Sequence, residues 1–127
     1  MRILRMEQSS YMEHNKVQSK GDTEMKVYIS GAITGCKNYY ETFHKAEKRL
    51  REMGYIPINP AAVNGELPAE TKYEEYMEMS MVMLKMADAI YMLQGWEGSI
   101  GANREYGYAM GAGMKIMYES EEAKQNE

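Results

Sequence analysis

The chain's 127 residues suffice for one domain with a sizeable core and are too few for two. With 19 Asp and Glu against 15 Lys and Arg, the net charge is -4 and no basic block is long enough to follow a phosphate backbone, which excludes polymeric nucleic acid as a partner and leaves small phosphorylated ligands open. The single Cys36 excludes an internal disulfide, and no apolar run approaches the roughly 18 residues of a membrane span, so a cytoplasmic protein without membrane contact is expected.

Residues 1–24 are polar, carry no sustained period and read as a flexible extension ahead of Met25, where the strand pattern begins. Lys26 to Ser30 (KVYIS) is a β-branched and aromatic run closed by Gly31, and reads as the first strand. In the loop that follows, Gly31 and Gly35 let the backbone come close to a ligand. From Tyr39 to Met53, the residues Phe43, Ala46, Leu50 and Met53 recur at helical spacing, with Gly54 where a C-terminal cap is wanted. Tyr55 to Pro60 reads as a second strand confined to a sheet edge, because Pro57 has no N–H for a ladder. Residues 61–70 read as loop. From Thr71 to Ala87, an apolar stripe of Tyr73, Tyr76, Met77, Met81, Leu84 and Ala87 predicts a second helix. Ala89 to Leu93 lacks polar alternation, as a central strand covered on both faces would. A third helix from about Ile100 to Ala112 and a strand from Lys115 to Tyr118 complete the pattern, with 121–127 a frayed charged tail. Most of the 14 methionines fall inside these elements and read as soft core filling.

Strands alternating with helices predict an α/β domain over residues 25–120. The expected form is a small doubly wound, flavodoxin- or Rossmann-like parallel sheet of about four strands, with helices on both faces. Ligands in such sheets bind beyond the carboxyl ends of the strands. That rule brings together residues 30–35, 59–62 and 94–105, and with them the substrate-contact candidates Ser30, Gly31, Ile33 and Asn59.

Glycines and a helix start dominate the third segment. Ser99 is a good N-cap, and the amides of Gly101 and Ala102 at the positive end of the helix dipole suit one phosphate; the plain alternative is that Ser99 only caps. Neither a triphosphate loop nor a dinucleotide fingerprint is present. Glu105 shares a small-residue face with Ala109 and Ala112, where the dipole and nearby amides are expected to keep its carboxylate ionised as a ready nucleophile; an ordinary exposed glutamate is the alternative. Tyr28 on the first strand can set its hydroxyl beside that carboxylate. Trp96 and Tyr106 can stack on a flat base. His14, His44 and Cys36 lack metal-ligand spacing, so neither metal nor cofactor is expected.

Together, YISGAITG at residues 28–35, YIPINPA at 55–61 and DAIYMLQGWEGSIGANREYGYAMGAG at 88–113 make the chain resemble the nucleoside 2-deoxyribosyltransferases and the related 2'-deoxynucleoside 5'-phosphate N-hydrolases. The resemblance implies cleavage or transfer of the N-glycosidic bond of a deoxynucleoside or its 5'-monophosphate, in a homo-oligomer. By it, Glu105 is the nucleophile, Tyr28 orients it, and Ser99 matches a serine of the phosphate-recognising hydrolases. Two positions depart from that pattern. Ser80 stands where the family carries a second carboxylate, with Glu75 or Glu78 on the same helix as possible substitutes, and Thr34 stands where the hydrolases carry an arginine. A non-catalytic nucleotide-binding module is therefore the alternative function.

Overall fold

The computed structural model describes residues 24–120; the tail expected at 121–127, and all but Glu24 of the expected extension, lie outside them. In chain order the elements are β1 (Lys26–Ser30), α1 (Tyr39–Glu52), β2 (Ile56–Ile58), α2 (Pro60–Asn64), α3 (Tyr73–Lys85), β3 (Ala89–Met92), a 3-10 turn (Trp96–Gly98), α4 (Ile100–Gly111) and β4 (Lys115–Tyr118). The four strands form one parallel sheet in the order β2-β1-β3-β4, so the doubly wound α/β architecture stands as read from the sequence. Pro57 lies on the edge strand β2, opposite Val27, where its missing N–H faces no second neighbour.

Alternation along the strands splits the core into two layers. Val27, Ile29, Ala89, Tyr91 and Leu93 pack on one face with Phe43, Ala46 and Leu50 of α1. On the other face, Tyr28, Ile90 and Met92 pack with Met83 and Leu84 of α3 and Ala102 and Ala109 of α4. Helix α1 ends as its sequence asks: Gly54 adopts φ +94°, and the amides of Gly54 and Tyr55 close back on Arg51 and Leu50 at 3.0 Å each. Met53, expected in the apolar stripe, is instead the exposed C-cap.

Two local expectations are corrected. The segment read as loop after β2 begins with the short helix α2; Pro60 occupies its first turn, and the Asn59 side chain accepts from the amides of Ala61 at 3.0 Å and Ala62 at 3.3 Å. A five-residue helix is too short to show a 3.6-residue period. In α3 the buried positions are Ser80, Met83 and Leu84, whereas Tyr73 is 43% exposed, so the packed stripe is rotated from the one its large apolar residues suggest.

Candidate active site

A strand with period two turns Tyr28 and Ser30 to the same side of the sheet, and a helix with period 3.6 turns Ala102, Glu105 and Ala109 to a common face. These faces meet. Tyr28 donates its hydroxyl to Glu105 Oε2 at 2.7 Å, and Ser30 donates to Oε1 at 2.6 Å, so each carboxylate oxygen holds one hydroxyl. Glu105 is 6% exposed, and the alanines flanking it let α4 sit close enough for these short bonds. Ser80, buried on α3, hydrogen-bonds the Tyr28 hydroxyl in turn, giving a chain from Ser80 through Tyr28 to Glu105.

The electrostatics follow from this burial. Desolvation raises the Glu105 carboxyl above its ordinary range, and the hydrogen bonds from Ser30 and Tyr28 pull it part of the way back. Hydroxyls therefore do the holding that the sequence had assigned to backbone amides, and burial outweighs them in the net shift. Tyr28 is raised well above the usual tyrosine value by burial first, then by the neighbouring Glu105 charge.

Beside Glu105 opens a cavity of about 350 Å³, within the range of small-molecule sites. Of the sequence-derived candidates, Tyr28, Gly31, Ile33, Ser99, Gly101, Ala102 and Glu105 line it. Ser30 reaches the site through its bond to Glu105. Asn59 is not in the lining: its oxygen caps α2 and its amide donates to Glu47 at 2.9 Å. Trp96 is also absent from the wall and stacks on Tyr106, with ring centroids 4.5 Å apart. Ala112, expected on the packed face of α4, is its exposed C-cap.

Three finer expectations change as well. The close approach at Gly31 is to the protein itself, because a Cβ there would meet Leu93 Cδ1 at 2.7 Å. Ser99 caps α4 by accepting the Ala102 amide at 3.1 Å, so that amide is spent and the phosphate cradle is one donor poorer than the sequence suggests. Neither Glu75 nor Glu78 lines the cavity; Glu75 is exposed and accepts from the Lys72 amide at 2.8 Å.

Wall residues missed from the sequence are Pro60 and Asn64 of α2 and Tyr39, Phe43, Tyr73, Tyr76 and Met77. Their signal was present but ambiguous: apolar helix spacing reads as core unless the helix is known to overhang a cavity. No helix of the described residues is long and apolar enough to cross a membrane.

The fold is shared with a solved structure of a 2-deoxyribosyltransferase from Bacillus psychrosaccharolyticus, with a TM-score of 0.59, 18% identity, and coverage of 73% of this chain and 70% of that one. No curated protein matches. Residues 25–118, from the start of β1 to the end of β4, match the family described as Domain of unknown function (DUF4406), and the chain belongs to that family.

Proposed function

We propose that the protein cleaves or transfers the N-glycosidic bond of a deoxynucleoside-like substrate, with Glu105 as nucleophile. The observation that carries this reading is the Glu105 carboxylate, buried at the cavity wall with both oxygens held by Tyr28 and Ser30. Its orientation is set before any ligand arrives, which is the preorganisation a nucleophile needs. The fold shared with a protein named as a 2-deoxyribosyltransferase supports the same chemistry.

One carboxylate oxygen attacks the anomeric carbon as the bond to the base breaks, and water or a second base then displaces Glu105, with net retention. Tyr28 and Ser30 orient the carboxylate, and the hydroxyl of Tyr28 takes its own position from Ser80. Gly31, Ile33, Ser99 and Gly101 contact the sugar side of the ligand. With the Ala102 amide already occupied, a free nucleoside fits the cavity better than its 5'-monophosphate.

Base release from a panel of deoxynucleosides and monophosphates, followed by chromatography, tests the reading. Glu105→Gln is expected to lose at least about 10³-fold in turnover, as removal of a nucleophile does. Release from wild type no faster than from the variant overturns it. Ser80 in the lining favours one rival, a binding module without turnover, which predicts thermal stabilisation by nucleosides and no base release. The homo-oligomer belongs to the same proposal: Met79 and Val82 of α3 and its C-cap Met86 leave exposed apolar side chains for it to bury. Sedimentation is expected to show wild type larger than Val82→Lys, and equal sizes remove that interface.

A further inference from the structure

The cavity's chemistry is one-sided. Among the described residues that line it there is no Lys, Arg, His or Asp, and no Glu besides Glu105. A nucleobase that leaves neutral substrate takes an electron pair and needs a proton, commonly supplied by a carboxylic acid in glycoside cleavage. Ser80 lines the wall with a hydroxyl bound to Tyr28, and a serine does not serve as that acid. Tyr39, Tyr73 and Tyr76 line the same wall, and aromatic rings of this kind attract cations through their faces.

Resting on the reading of Glu105 as nucleophile, we infer that the substrate is an N-glycoside whose leaving heterocycle already carries a positive charge, such as a purine nucleoside alkylated on the base. The charge makes the missing acid unnecessary. As a Glu105 oxygen bonds to the anomeric carbon, the C–N pair of electrons moves to the cationic ring, which departs neutral with no proton added. Water then bonds to the anomeric carbon, the ester pair returns to Glu105, and the water's proton goes to solvent. Before the first step the cation is balanced by the carboxylate and the aromatic wall, and the described residues of the lining include no competing positive side chain.

The test compares N7-methyl-2'-deoxyguanosine with 2'-deoxyguanosine on the full chain, subtracting release in buffer and release by Glu105→Gln. An enzyme without an acid follows leaving-group ability steeply, so kcat/KM is expected to favour the methylated nucleoside by at least about 10²-fold, the low end of what an acid contributes. In Ser80→Asp this ratio narrows as an acid returns. Comparable kcat/KM for the two nucleosides, within about tenfold, overturns the inference while leaving N-glycosidic cleavage intact. Release of neither base by wild type overturns both.

Discussion

Glu105 must lose its proton before it attacks, so kcat/KM falls on the acid side of its inflection in the free enzyme. Burial raises that pKa, while Ser30 and Tyr28 lower it, so the acid limb is expected above the ordinary glutamate range. Deleting either donor, in Ser30→Ala or Tyr28→Phe, moves the limb further up, which a pH-rate profile reads directly. Stability runs in the opposite sense. The folded pKa exceeds the unfolded one, so this group's contribution is full below the unfolded value and is lost as pH rises through the folded value. Glutamine escapes that loss: urea unfolding should show Glu105→Gln gaining on wild type as pH rises from the ordinary glutamate value through the raised folded value. A difference independent of pH would contradict the burial-driven shift.

At the scale of elements, the two capping side chains separate structure from site. Asn59 holds the first turn of α2 and the Glu47 side chain, away from the cavity lining. Asn59→Ala should therefore cost about 1–2 kcal/mol, as a lost N-cap does, and lower kcat/KM far less than Tyr28→Phe. Thermal melts and kinetics on the same preparations check this, and a kinetic loss equal to that of Tyr28→Phe would return Asn59 to the site. The strands, α1 and α4 were legible because each carries a long enough period and a cap: Phe43, Ala46 and Leu50 before Gly54, and Ser99 before Ala102, Glu105 and Ala109. Helix α2 was not, since Asn-Pro is equally a strand end, a turn or a cap. For Trp96, aromatic character alone does not say whether the ring meets a ligand or another ring, and the ring it meets here is Tyr106.

Across the whole molecule, one parallel sheet joins two apolar layers; Tyr28 of the layer with α3 and α4 holds Glu105, and Phe43 of the other layer reaches the same cavity. Leu50 and Leu84 are fully buried, one in each layer. Replacing either by Ala is expected to cost about 2–5 kcal/mol, with a single urea transition in both variants because the shared sheet couples the layers. Leu84→Ala alone should also raise KM, through α3 and the placement of Ser80. Two separate transitions in either variant would show that the layers unfold independently.

By itself the sequence determined the βαβ alternation, the edge position of Pro57 and the candidates Tyr28 and Glu105, because periodicity, proline and caps are local physics that survive without tertiary contacts. Tertiary structure alone decided what those residues meet. It turned Ser30 onto the second oxygen of Glu105, brought Ser80 to Tyr28 and took Asn59 and Trp96 out of the wall. It also put Asn64 and the three tyrosines into that wall. The reason is geometric: which side chains share a cavity depends on how helices cross the sheet, and that angle follows from packing summed over the whole core rather than from any one segment.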